Sequence, residues 1–314
     1  MEIRQLQTFI TVTDVRGFSR AADSLGYAQS SITAQIQGLE AEIGIPLFNR
    51  LGKKITLTEA GKRLLPYARQ IVALHDSALA QTKESGIPSG KIVIGAPESL
   101  AAYRLPAVID AYRRRYPHVK IILKPGMCQQ LREEAKNGEL DVAFLLQEEA
   151  TFPDLHTEVL VREPMVLIAP PQHPLTKSAR LRPADLQEEP ILSTEPGCRY
   201  RELFESYMNR CGAPVRTDLE FWNIEAIKQC VMCGLGIAYL PYVTVKSEIR
   251  QNRLVVLPWQ DDIVPVATQL VYHQSKWLSS ALQAFLRMLR VNAQMWREEV
   301  ADFDPTGSLS KGSG

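Results

Sequence analysis

Along the first third of the chain the apolar positions recur every three or four residues. Leu6, Phe9, Ile10 and Thr13 fall on one side of a first amphipathic helix. A shorter helix is predicted from about Ser19 to Leu25, with Ser19 as its N-cap and Ala21, Ala22 and Leu25 turned inward. Gly26 then supplies the turn, because a tight helix-to-helix connection favours a positive φ. A third helix runs from about Ser30 to Ile43, where Ile32, Ile36, Leu39 and Ile43 make a single apolar stripe. At about 100° per residue, Ser30, Ala34, Gln37 and Ala41 point away from that stripe, with Ser31, Thr33 and Gly38 beside them. A solvated helix face usually collects Glu, Lys and Arg. This one carries hydroxyls, amides and small side chains, and such a face can approach base edges in a major groove about 12 Å wide.

The pattern then changes period. Two short strands, Leu47 to Arg50 and Lys54 to Leu57, are joined at Gly52 and carry Arg50, Lys53 and Lys54. A basic hairpin beside a polar helix suits phosphate contact or minor-groove insertion, so the segment reads as a winged helix-turn-helix. A helical hairpin inside some other bundle is the alternative. Charge does not decide between them: residues 1–66 hold eight Lys+Arg against six Asp+Glu, and the whole 314-residue chain carries +1.

From Thr58 to about Glu84 one long helix is predicted, with Leu64, Tyr67, Ile71, Leu74 and Ala78 in a seven-residue repeat and Pro66 as a point of bending. So narrow a seam needs a partner, either its own domain or a second chain. "SGIPSG", residues 85–90, breaks the helix as a hinge. Beyond it, short apolar runs alternate with helical segments: "KIVIGA", "LPAVIDAYRRRYP", "VKIILKP", "CQQLREEAKNGEL", "DVAFLL". The alternation restarts at "MVLIAP" and continues through "PILS", "YRELFESYMNRCG", "DLEF", "NIEAIKQCVMCGLGIAYLP" and "RLVVLP". This predicts an α/β fold with a largely parallel sheet, and "VATQLVYH" with a last helix from about Leu278 to Glu299 returns to the first subdomain. "DPTGSLSKGSG" has the composition of a disordered tail.

The N-terminal residues carry a family resemblance. From Met1 to about Gly61 the chain resembles the winged helix-turn-helix of LysR-type transcriptional regulators. The paired Ala21 and Ala22, the Q-S-S-I-T-x-Q-I-x-x-L-E helix from Gln29 to Glu40, the L-F-x-R strand from Leu47 to Arg50 and the L-T-x-A-G run from Leu57 to Gly61 stand in family order. One departure is Ala34, where many members carry Arg, so the base preferred at that step stays open. The resemblance implies contact with double-stranded DNA by Gln29, Ser30, Ser31, Thr33 and Gln35, joined by Gln37 on the same polar face, with Arg50, Lys53 and Lys54 on backbone or minor groove. It implies antiparallel pairing of the long helix in a dimer, a homotetramer as dimer of dimers, and a pseudo-palindromic operator. RNA polymerase is a further candidate partner.

The second half is similar to the two-lobed, periplasmic-binding-protein-like effector domain of the same family. The expected division is residues 1–58 for the DNA-binding domain, 59–90 for linker helix and hinge, and 91–300 for the effector domain, followed by a tail at 301–314. Lobe 1 is expected over about 91–162 and 268–300, and lobe 2 over about 163–267. A cleft outside the strand C-termini is where small ligands lodge. Pro97, Glu98, Ser99 and Leu100 would line it from lobe 1, and Thr194, Glu195, Pro196, Gly197, Cys198 and Arg199 from lobe 2. Gly126, Gln147, Phe221, Trp222 and Asn223 would border it, with Phe221 and Trp222 more often packing than ligand residues. Helix N-termini favour a small carboxylate as effector, while Glu98 and Glu195 would repel an anion or receive an amine.

Five cysteines, Cys128, Cys198, Cys211, Cys230 and Cys233, are an odd set that reads as free thiols, the Cys230-x-x-Cys233 pair being expected to be buried and structural. A thiol-based sensor is a rival reading, with Cys198 at a helix start and a lowered pKa, and Cys128 as the other redox candidate. His75, His118, His156, His173 and His273 lack metal-ligand spacing, so no metal or cofactor is expected. A solute receptor or an enzyme on the two-lobed scaffold are further rivals. No export signal, no apolar run of about 20 residues and no nucleophile elbow, phosphate loop or paired catalytic carboxylates are found, so a cytoplasmic, non-enzymatic protein without membrane contact is expected.

Overall fold

The computed structural model describes residues 1–51, 54–82, 88–216, 219–260 and 263–303. Three helices open the chain: α1 (Ile3–Val15), α2 (Phe18–Leu25) and α3 (Gln29–Ile43). Their apolar stripes meet in one core of Leu6, Phe9, Val12, Ala21, Ala22, Ile32, Ile36 and Leu39. The hairpin β1 (Phe48–Leu51) and β2 (Lys54–Leu57) is antiparallel and tied to that core by Phe48, whose ring lies 5.3 Å from Phe9 and 5.8 Å from Phe18. Gly26 ends α2 at φ +69°, the turn predicted for it. Ser19 is not the cap, however. The helix begins a residue earlier with Gly17 as N-cap, and the Ser19 hydroxyl donates instead to Gln29 Oε1 at 2.9 Å, joining α2 to α3.

Helix α4 (Glu59–Thr82) is started by Thr58, whose Oγ1 accepts from Gly61 N at 3.0 Å and donates to Pro46 O at 2.8 Å. A Cβ on Gly61 would stand 2.3 Å from Leu47 O, so only glycine lets α4 lie against the entry to the hairpin. The seven-residue repeat of α4 does not form one free seam. Leu64 and Ile71 pack, with the fully buried Ala68, on the core of their own domain. Tyr67 and Leu74 stand 64% and 50% exposed, and Ala78 is exposed with them. At 3.6 residues per turn these two sets sit a few tens of degrees apart on one broad stripe, so one border is covered locally and the other faces outward.

The first lobe is built on a five-stranded sheet. In chain order its elements are β3 (Gly90–Ala96), α5 (Glu98–Tyr103), α6 (Leu105–Arg115), β4 (Val119–Pro125), α7 (Cys128–Lys136), β5 (Val142–Glu148) and β6 (Leu155–Glu163). The second lobe comprises β7 (Met165–Ala169), β8 (Leu192–Thr194), α8 (Arg199–Arg210), β9 (Leu219–Phe221), α9 (Ile224–Met232), β10 (Ala238–Pro241), α10 (Tyr242–Arg250) and β11 (Val255–Val256). The chain then returns through β12 (Val266–His273) and α11 (Ser280–Ala301). Sheet order in lobe 1 is β4-β3-β5-β12-β6; β3 is parallel to β4 and β5, and β12 is antiparallel to both of its neighbours.

A largely parallel sheet is therefore right for lobe 1 apart from β12, which runs backwards because it brings the chain home. Lobe 2 departs from the expectation: β7 lies between β10 and β11 and is antiparallel to both, and only the short β8–β9 pair is parallel. Strand β6 went unpredicted, since His156, Glu158 and Arg162 interrupt its apolar residues. Among the described residues, a buried network pins the crossover between lobes. Arg104 donates to both oxygens of Glu163, at 3.0 and 2.7 Å, and Thr268 Oγ1 donates to Glu163 Oε1 at 2.8 Å. Glu299 joins the same Arg104 at 3.4 Å and also pairs with Lys246 of lobe 2.

Candidate functional site

The polar face of α3 stands free. Gln29, Ser30, Ser31, Ala34, Gln37 and Ala41 are exposed, while Ile32, Ile36 and Leu39 are fully buried beneath them. Burial of that stripe holds the helix down, so the outward side chains are presented on a rigid element. Thr33 is half-buried and returns its hydroxyl proton to Gln29 O at 3.0 Å, leaving lone pairs and a methyl group outward. Gln29 keeps its amide donors, its carbonyl being held by Ser19. Gln35 is half-buried; its Oε1 accepts from the hydroxyl of Thr8 on α1, so its carbonyl ties α3 to α1 while its amide donors stay available.

Sequence reasoning missed the residue that aims the hairpin. Glu40 on α3 accepts from Leu47 N at 2.8 Å and Phe48 N at 3.2 Å, fixing where the strands leave the helix bundle. Its place as the last residue of the α3 motif was the available signal. The backbone of Arg50 pairs with Ile55 in the hairpin. The side chains of Arg50 and Lys54, and Gly52 and Lys53 altogether, lie outside the described residues.

Across the lobe interface the predicted cleft residues divide into those that meet and those that do not. Glu98 leads the short α5, and its carboxylate reaches into lobe 2, accepting from Asn223 Nδ2 at 3.0 Å and from Ile224 N at 3.0 Å. Asn223 is the N-cap of α9, accepting from Ala226 N at 2.9 Å, so Glu98 sits where the helix leaves unpaired N–H groups and positive potential. Burial raises the Glu98 pKa above the ordinary carboxylate range; the Ile224 N–H opposes this, and the nearby Glu195 and Glu225 add to it. Opposite, Arg199 grips Glu148 at the end of β5 with two bonds, at 2.7 and 2.5 Å, and Glu202 at 2.8 Å. That pairing lowers the Glu148 pKa. The Gly197 turn, φ +88°, rests on Met127, whose Sδ would be 3.1 Å from a Cβ there.

Ser99 is buried on α5 and Thr194 is buried at the end of β8, Gln147 is half-buried near the end of β5, and Pro97 is half-buried as the N-cap of α5. Leu100 belongs elsewhere: it is fully buried in the main core, because its position on α5 faces the sheet. Gly126 lies against Leu131, and Phe221 packs on the main core. Trp222 is 71% exposed, so it is not a packing residue. The thiol expectation also reverses. Burial pushes Cys198 up, and Cys128 to about 12, so the helix start beside Cys198 does not yield a ready thiolate. Cys233 is not buried but exposed as the cap of α9, as is Cys211 after α8. Among the described residues no group of three or more His, Cys, Asp and Glu is placed to hold a metal ion, and no helix is long and apolar enough to cross a membrane.

Comparison with known proteins agrees with this architecture. Residues 3–62 match the family of bacterial regulatory helix-turn-helix proteins of the LysR type, and residues 85–294 match the LysR substrate binding domain. The chain is 45% identical over 291 residues to the uncharacterized HTH-type transcriptional regulator YwqM of Bacillus subtilis, covering 92% of this chain and 99% of that one. It is 34% identical to the HTH-type transcriptional regulator GltR of the same organism, covering 95% and 99%. In fold it is similar to full-length OxyR from Pseudomonas aeruginosa, with a TM-score of 0.74, 22% identity and coverage of 94% and 95%. The regulatory domain of Synechocystis PCC6803 CcmR in complex with 2-PG matches 66% of this chain and 98% of that one at 26% identity and a TM-score of 0.59. With both halves matched in order and the relatives covered nearly end to end, the chain belongs to the LysR family of helix-turn-helix transcriptional regulators, with a DNA-binding domain followed by an effector-binding domain.

Proposed function

We propose that the chain reads a two-fold symmetric DNA site as a dimer and that a small carboxylate bound between its lobes resets that reading. The observation carrying the first half is the α3 face: exposed Gln29, Ser30, Ser31 and Gln37 above a fully buried stripe. Amide and hydroxyl groups on a rigid helix supply the donors and acceptors that base edges require, and the adjacent hairpin with Arg50, Lys53 and Lys54 supplies phosphate contact. The outward border of α4, Tyr67, Leu74 and Ala78, pairs two chains so that two reading helices meet successive half-sites. The test is affinity for duplexes selected from a random pool. Gln37→Ala should flatten discrimination at one position by about 1–3 kcal/mol, whereas Gln35→Ala should change stability and not preference. Equal loss across all duplexes in Gln37→Ala would refute the assignment.

For the effector, support comes from Glu98. Its carboxylate occupies the start of α9, which supports a site for this group, and Glu195 and Glu225 nearby disfavour a second anion alongside it. An incoming carboxylate therefore replaces Glu98 rather than joining it, releasing α5 from lobe 2 and changing the lobe angle. This is a shift between two populated arrangements. Screening small carboxylates by thermal shift tests it: binding should strengthen in Glu98→Gln and disappear in Asn223→Ala. Binding of amines alone, abolished by Glu98→Gln, would overturn the carboxylate class.

A further inference from the structure

The effector domain is joined to the DNA-binding domain by more than the linker. Arg69, on α4, holds two carboxylates at once: Nη2 lies 2.7 Å from Asp14 near the end of α1, and Nη1 lies 3.1 Å from Glu139 in the turn between α7 and β5. Its side chain is only 18% exposed. A guanidinium can serve two acceptors from separate nitrogens in one plane, a geometry that a Lys ammonium on its flexible stem does not impose. The turn that presents Glu139 is itself fixed. Gly138, at φ +72°, lies against α4, with Gln70 Cγ 3.4 Å from where a Cβ would be. Asp141 accepts from Val93 N at 2.6 Å and pairs with Lys276 at 2.9 Å.

Two features make this contact decisive for orientation. Among the described residues no apolar cluster is shared across the junction, and a cavity of about 660 Å³ lies there, bordered by Ile10, Val72, Lys91, Ile122, Lys124 and Trp277. Few packed side chains oppose a change of angle there, so specific polar bonds set it. In addition, β5 links the junction to the cleft. Its start follows Glu139, and its end is Glu148, gripped by Arg199 of lobe 2. A strand of seven residues, roughly 20 Å long, thus runs from the turn that meets α4 to the lobe interface.

We propose that Arg69 is a positioning residue: by bridging Asp14 and Glu139 it fixes the angle between lobe 1 and the reading helix α3, and so sets the spacing of the two reading helices in a dimer. This rests on the DNA-binding reading above. Angle matters only when two half-sites are engaged together, because the second contact depends on effective concentration whereas the first does not. Full-length wild type, Arg69→Met, Glu139→Gln and the double variant are therefore titrated against two selected duplexes, one with both half-sites and one with a single half-site.

Each single variant should lose on the order of two- to tenfold in affinity for the two-half-site duplex, the double variant should lose no more than either, and single-half-site affinity should stay unchanged. Equal loss on both duplexes means Arg69 serves only to keep the domain folded and overturns the proposal, as does full two-half-site affinity in Glu139→Gln. Additive losses in the double variant overturn the bridge. Failure of the wild-type chain to select any duplex strikes at the DNA-binding reading itself and takes the positioning role with it.

Discussion

Removing the carboxylate of Glu163 should unsettle the crossover between the lobes more than any surface change can. The Arg104 side chain is 4% exposed and that of Glu163 fully buried, and they share two bonds of 3.0 and 2.7 Å. Among the described residues, Glu163→Ala leaves the guanidinium with Glu299 at 3.4 Å and the Trp296 ring at 5.3 Å, and Thr268 loses the acceptor of its hydroxyl. Breaking a buried pair from one side costs about 3–5 kcal/mol, because a charge is left uncompensated rather than because the pair itself is worth that much. For a domain of this size each kcal/mol moves Tm by about 2–4 °C, so the unfolding of the effector domain should fall by roughly 6–20 °C. Far-UV circular dichroism of the full chain on heating measures it. The double variant Arg104→Met with Glu163→Leu, which leaves no orphan charge, should recover most of the loss. A drop under about 3 °C in Glu163→Ala, or a double variant no better than the single, would refute the account of this network.

Three further outcomes follow from other contacts. Gly61→Ala places a Cβ 2.3 Å from Leu47 O, so α4 must move off the hairpin entry; the DNA-binding domain should melt earlier and lose affinity for every duplex alike, as thermal melts and gel shifts will show. Leu74→Asp puts a charge on the outward border of α4, where Leu74 is 50% exposed in the single chain, and should turn dimers into monomers in sedimentation velocity while far-UV circular dichroism stays that of the folded chain. For Glu98, whose pKa is raised in the folded chain by burial, the associated stability is fully present below the ordinary Glu value of 4.5 and is lost as pH rises through the elevated one. Wild type should therefore gain Tm relative to Glu98→Gln as pH falls from 7 toward 5; a constant difference would remove Glu98 from the lobe contact.

What the sequence made legible and what it hid have a common physical cause. The two faces of helix α3 could be read because they answer to two different rules: Ile32, Ile36 and Leu39 follow the helical period, and the polar residues between them lack the charges of an ordinary wet surface. Periodicity gives each residue's face, and that sufficed for Ser30, Ser31 and Gln37. It does not give partners: Gln35 bonds to a hydroxyl 27 residues away on another helix, and the repeat of α4 left open whether Leu64 and Ile71 meet their own domain, as they do, or a second chain. The cleft suffered more, since its contacts join residues 51 to 126 positions apart. Glu98 meets Asn223 across 125 positions, and no local pattern distinguishes a glutamate that caps its own helix from one that caps a helix in the other lobe. The same limit hid Arg69, an unremarked cation on a helix read only for its apolar repeat. Its two partners lie 55 and 70 residues away in opposite directions along the chain, which is why it ties two domains together. Residues that couple domains are therefore the ones a single chain's local pattern conceals most, and in this protein they are charged side chains whose charge is already met.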